Sequence, residues 1–94
     1  MEPRKTMRVI VEGRVQGVWF RGWTVEAANA HGLDGWVRNL SDGRVEAVFS
    51  GPAERVDRMV QACRAGPPAA DVKRVSAEPW AEHPGHGFHQ RPTV

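Results

Sequence analysis

Apolar and polar positions change period along the chain, and each change marks an element. Met7, Val9 and Val11 alternate with Arg8, Ile10 and Glu12, which predicts a strand with one face under helices and the other largely wet. Phe20, Thr24, Ala27, Ala28 and His31 fall at helical spacing, so a helix is predicted over Gly22–Ala30. Its stripe is short, and its small alanines allow close approach to a sheet. Gly32 stands where a helix-ending glycine is expected, and His31 reads as a surface residue compensating the helix dipole. Gly35–Leu40 and Arg44–Ser50 read as strands joined by the tight-turn signal Ser41-Asp42-Gly43, with Val45, Ala47 and Phe49 on one face. Val56, Met59, Val60 and Cys63 lie at i, i+3, i+4 and i+7 of a second helix over Ala53–Ala65. That stripe makes Cys63 a core thiol, not a nucleophile. Asp71–Glu78 is the fourth strand, although Val72 and Val75 break its alternation. Phe88–Arg91 is polar and at most a short edge strand. Residues 1–6 and about 81–87 read as loose.

The order is β-α-β-β-α-β. A helix between two strands gives a right-handed crossover, so strands one and two run parallel. The hairpin sets strand three antiparallel beside strand two. Two interlocked crossovers give an α+β sandwich: an antiparallel sheet in order 4-1-3-2 with both helices on one face.

Composition narrows this without changing it. The 94 residues suit a single domain spanning 1–94. Charged residues make up 26%, and the net charge of +2 comes without the basic runs typical of nucleic-acid binding. No apolar stretch approaches the roughly 20 residues of a membrane span. The first six residues lack the apolar core of a signal peptide. A lone cysteine forms no internal disulfide, which fits a reducing cytoplasm. The expectation is a cytoplasmic monomer with neither nucleic-acid nor membrane partner.

Candidate chemistry gathers at Gly13-Arg14-Val15-Gln16-Gly17-Val18-Trp19-Phe20-Arg21. A glycine-containing loop from a strand into a helix start can converge backbone N–H groups on an anion. It can equally be turn punctuation, with Arg21 a solvated charge. Asn39 ends strand two at the same sheet edge, about 10 Å away across strand three at roughly 4.8 Å per strand. It would face an anion held by the loop, or simply bond its own hairpin backbone. His83, His86 and His89 invite a metal hypothesis. They lack a second ligand cluster and sit between glycines, so no metal site is expected.

The loop, followed by Ala28, Gly32-Leu33, Gly35-Trp36-Val37-Arg38-Asn39, Asp42-Gly43-Arg44-Val45-Glu46 and Gly51-Pro52, closely resembles the acylphosphatase family over about residues 7–80. The resemblance implies a ferredoxin-like sandwich that hydrolyses the carboxyl–phosphate bond of acyl phosphates. It implies that Val15, Gln16, Gly17, Val18, Trp19, Phe20 and Arg21 bind phosphate through loop backbone and guanidinium. It also implies that Asn39 positions the attacking water, with Arg21 and Asn39 as the catalytic pair.

The chemistry is consistent with these residue types. An acyl phosphate expels a carboxylate whose conjugate acid has a pKa of about 4–5, so no general acid is required. The implied reaction is metal-independent and cofactor-free, with inorganic phosphate or sulfate competing for the loop. The loop reads the phosphate and leaves the acyl group open; Trp19 and Trp23 either bias that choice or simply pack. Two rivals belong to other classes. An RNA-recognition-like domain needs exposed aromatics on its central strands, where strand three has only Phe49. A non-catalytic phosphate or carbamoyl-phosphate module would resemble the acylphosphatase-like domain of hydrogenase-maturation proteins. No zinc-finger cysteines follow the domain here, which favours the free enzyme.

Overall fold

The computed structural model describes residues 3–94. Seven elements follow one another: β1 (Arg4–Arg14), α1 (Phe20–Ala30), β2 (Asp34–Asn39), β3 (Val45–Pro52), α2 (Ala53–Cys63), β4 (Asp71–Pro79) and β5 (Phe88–Gln90). The sheet order is β4-β1-β3-β2-β5. The four expected strands pair antiparallel in the expected order, with β1 and β2 parallel on either side of β3.

The short edge strand expected at Phe88–Arg91 is present as β5, and it makes the sheet mixed. β5 pairs with β2 in parallel, through Gly35↔Phe88, Trp36↔His89 and Val37↔Gln90. One apolar residue anchors this polar segment. Phe88 is buried and stacks on Phe49 with ring centroids 5.4 Å apart.

The expectation of a loose start also gives way. Arg4, Lys5 and Thr6 belong to β1, paired with Pro52, Gly51 and Ser50 of β3. The polar side chains have partners there: Thr6 Oγ1 lies 2.7 Å from Ser50 Oγ, and Lys5 pairs with Asp57 of α2. Polarity masked the strand because edge-of-sheet ladder bonds need no apolar side chain. Residues 1 and 2 lie outside the described residues. Residues 81–87 have no regular structure but are tied down, since Gly87 donates to Asp34 Oδ1 at 2.9 Å and its carbonyl accepts from Gly35 N–H at 2.9 Å.

The broken alternation of β4 has a local cause. Arg74 pairs with Glu12 and Val72 with Gly13, so Lys73 is an extra residue in a bulge. The bulge lets both Val72 and Val75 pack against the core. Gly13 is the residue it requires: φ is 128°, and a Cβ there would lie 2.3 Å from the Asp71 carbonyl oxygen.

Val9 and Val11 of β1, Val37 of β2 and Val45, Ala47 and Phe49 of β3 face the helices. Phe20 and Ala28 of α1, with Val56, Met59 and Cys63 of α2, close the core from the other side. Burial pushes the Cys63 thiol up to about 12, so it is a packing group, as its stripe predicts.

The opposite sheet face is not simply wet. Val48, Ile10, Trp36 and Glu46 are buried on it. Arginine side chains roof them over. Arg8 Nε and Arg38 Nε donate to Glu46 at 2.6 and 2.7 Å, and Arg8 also reaches Glu78 at 2.9 Å. The guanidinium groups of Arg38 and Arg91 each lie 4.7 Å from the Trp36 ring. Burial works to raise the Glu46 pKa, but the bonds from Arg38 and Arg8 outweigh it and hold the carboxyl below its ordinary range.

Candidate active site

β1 delivers the chain at Arg14 into a five-residue loop, and α1 takes it up at Phe20. Gly17 (φ 73°) and Trp19 (φ 68°, ψ 22°) are both left-handed, which curls the loop's N–H groups towards one concavity. No side chain caps the start of α1. The N–H groups of residues 16–22 find no protein acceptor among the described residues; Trp23 N–H is the first to pair, with the Trp19 carbonyl at 2.9 Å.

Asn39 arrives from the other side of β3. Val11 pairs with Val45 and Val45 with Asn39, so the three form one row across the sheet. Asn39 shares the helix-facing side with Val37. Its side chain is buried, and its Oδ1 has no hydrogen-bond partner among the described residues. A buried amide oxygen in that state ordinarily costs about 1–3 kcal/mol, so its place at a cavity wall needs a reason.

Loop and strand end enclose a cavity of about 270 Å³. Val15, Gln16, Gly17, Trp19, Phe20 and Arg21 line it from the loop side. Asn39 lines it from β2. Arg21 is half-buried and makes no ion pair among the described residues. Of residues 15–21, only Val18 does not line the cavity; its side chain is buried in the core.

Two lining residues escaped the sequence reading. Gly22 carries the Trp19 indole against its bare Cα, where a Cβ would lie 2.1 Å from the indole Nε1. Gln90 comes from β5 and had no signal of its own, because its strand is too short and polar to carry one. The two tryptophans separate clearly. Trp23 tilts against Phe20 at 5.4 Å as a packing residue, whereas Trp19 is 57% exposed at the cavity lip.

The tail histidines do not converge. His83 Nδ1 accepts from Gly85 N–H at 3.1 Å, and His89 Nε2 turns to the His86 carbonyl at 3.2 Å. Among the described residues, no three His, Cys, Asp or Glu side chains group so as to hold a metal ion. No helix is long and apolar enough to cross a membrane among them either.

Comparison with known proteins covers nearly the whole chain. The acylphosphatase family model matches residues 7–90. An acylphosphatase of Rhizorhabdus wittichii is 54% identical over 91 residues, covering 97% of this chain and 92% of that protein. One from Rhodospirillum rubrum is 52% identical over 90 residues, covering 96% and 99%. The solved structure of an acylphosphatase from Coxiella burnetii superposes with a TM-score of 0.90 at 35% identity, covering 94% of this chain and 93% of that one. The match runs through the loop, the Asn39 strand and the edge strand alike, and on that extent of sequence and fold the chain belongs to the acylphosphatase family.

Proposed function

We propose that this chain is an acylphosphatase that works by cradling phosphate in loop 15–21 and orienting water on Asn39. The reaction is hydrolysis of the carboxyl–phosphate bond of an acyl phosphate to a carboxylate and inorganic phosphate. The observation that carries the reading is the pairing, on one cavity, of an unpartnered buried amide oxygen with loop N–H groups and an arginine that lack protein acceptors.

Each part has a physical task. The loop N–H groups and the start of α1 offer partial positive charge to the phosphate oxygens. Arg21 adds a forked pair of charge-assisted bonds and neutralises charge as the phosphoryl group transfers. Asn39 Oδ1 accepts a hydrogen bond from water and fixes its approach to phosphorus. The water's proton passes to a substrate phosphate oxygen, and the carboxylate leaves unprotonated because its conjugate acid is already strong. Positioning and electrostatic stabilisation therefore carry the rate.

The rest of the reading follows from the same features. Inorganic phosphate or sulfate competes for the loop. Each chain carries both halves of its cavity, so a monomer suffices. Trp36, a large aromatic of the outer face, is 6% exposed beneath arginines and offers no stacking platform to RNA. A buried, unreactive Cys63 suits a cytoplasmic setting.

Turnover of an aryl acyl phosphate, followed spectrophotometrically, tests the proposal. Arg21→Ala removes two charged bonds of about 1.5–3 kcal/mol each, which lowers kcat/KM by about 10²–10⁴. Asn39→Ala lowers kcat and leaves inhibition by inorganic phosphate unchanged. Wild-type-like turnover by Arg21→Ala would remove the phosphate-binding role. A weakened phosphate inhibition with intact kcat in Asn39→Ala would remove the water-orienting one.

A further inference from the structure

We infer that the Gln16 side chain is a positioning device that locks the phosphate loop in register with Asn39; the inference rests on the roles of Arg21 and Asn39 just given. Gln16 Nε2 donates to the Leu40 carbonyl at 2.8 Å and to the Arg44 carbonyl at 2.9 Å. An amide nitrogen has two hydrogens, so both are committed. The side chain therefore has no donor left for a phosphate oxygen, although its backbone N–H remains in the loop.

The acceptors are what give the contact meaning. Leu40 follows Asn39 directly. The Arg44 carbonyl also accepts from Leu40 N–H at 2.8 Å, closing the neck of the β2–β3 hairpin. One side chain thus bonds to both sides of the hairpin neck and carries the loop with it. No ladder joins loop and Asn39 directly, because β3 lies between β1 and β2. Gln16 spans that gap through the Leu40 and Arg44 carbonyls at the neck of the hairpin.

In-line displacement at phosphorus depends on the distance and angle between the held phosphate and the held water. The loop sets one and Asn39 the other. Small misplacements of positioned groups are costly in rate, since the gain from positioning depends on near-attack geometry. A tie between the two halves acts on their relative placement and leaves the affinity of each half alone.

The experiment is a double-mutant cycle with phosphate inhibition as a second readout. Gln16→Met keeps length and volume and removes both donors. In the wild-type background it lowers kcat by about tenfold or more, while the inhibition constant for inorganic phosphate moves by less than about threefold. In the Asn39→Ala background the same change lowers kcat by less than about threefold, because the group being positioned is gone. An equal loss in both backgrounds, or a phosphate constant that rises by the same factor as kcat falls, overturns the inference. A measurement on the unaltered protein covers the case in which Gln16→Met does not fold. Both Gln16 side-chain amide protons resolve separately in a nitrogen-filtered NMR spectrum and exchange slowly with water; rapid, solvent-like exchange refutes the tie. If Arg21→Ala and Asn39→Ala themselves retain turnover, the site reading fails. If they lose turnover and the cycle is additive, only the Gln16 tie fails.

Discussion

Replacing Glu46 by glutamine tests the roof over the outer sheet face. Glu46 is 5% exposed in its side chain and accepts from Arg8 Nε at 2.6 Å and Arg38 Nε at 2.7 Å, one on each carboxylate oxygen. Glutamine keeps the shape and one acceptor. One bond loses its acceptor charge, at a cost of about 1 kcal/mol. The other becomes an amide N–H facing a guanidinium N–H, at a cost of about 1.5–3 kcal/mol. The two arginine side chains are 27% and 26% exposed, so solvent screens part of the loss. A net cost of about 2–3 kcal/mol remains, equivalent to a fall in Tm of about 10–20 °C for a domain of this size. The pH dependence sharpens the test. The ordinary value for this carboxyl is 4.5, and its folded-state pKa lies below that. Its contribution is therefore complete above pH 4.5 and is lost as pH falls through the folded-state pKa. Denaturant melts of both proteins from pH 7 downward give stability curves that converge at the acid end. Equal stability at pH 7, or a gap of constant size down to pH 3, would refute the reasoning.

Phe88→Ala removes the one apolar anchor of β5 and its stack on Phe49, costing about 3 kcal/mol by denaturant melt; a cost below about 1 kcal/mol would mean that the edge strand is held by its backbone alone. Cys63, buried and with its thiol pushed up to about 12, does not react with a thiol reagent in the folded protein and reacts fully once unfolded. A fast reaction under native conditions would contradict its core placement. Turnover of an acyl phosphate persists after exhaustive chelation, since the proposed chemistry runs on backbone N–H groups, a guanidinium and an amide; loss restored by a divalent cation would overturn the mechanism.

The parts of the fold written in strong periods were legible: the α2 stripe of Val56, Met59 and Cys63, the β3 face of Val45, Ala47 and Phe49, and the glycine after α1. Weak periods misled where backbone pairing overrides side-chain pattern. Arg4, Lys5 and Thr6 carry no strand signal, yet their partners on β3 extend β1 through them. Val72 and Val75 became intelligible only with Lys73 in a bulge opposite Gly13. The outer face was expected to be wet because charge reads as solvation, whereas Ile10 and Val48 are buried there and Arg8 and Arg38 converge on the buried Glu46. At the candidate site, the loop and Asn39 were visible as motifs. The Gln16 side chain was not separable from the loop around it, since its significance lies in carbonyls 24 and 28 residues away.

The parallel pairing of β5 with β2 has a consequence for how the molecule comes into being. The cavity draws its wall from Arg21 in the first quarter of the chain, Asn39 in the second and Gln90 close to the last residue. β1 pairs across the chain with both β3 and β4, so most ladders close long loops before they are repaid. Such long-range pairings form more slowly than local helix contacts. Arg21 and Asn39 come together only when β3 pairs with both β1 and β2, and Gln90 adds its part of the wall when β5 docks beside Trp36 and Val37. Recovered turnover therefore marks the pairing of β1, β3 and β2, and not the earlier gain of helix, while the parallel docking of β5 completes the cavity wall beside the Arg21–Asn39 pair.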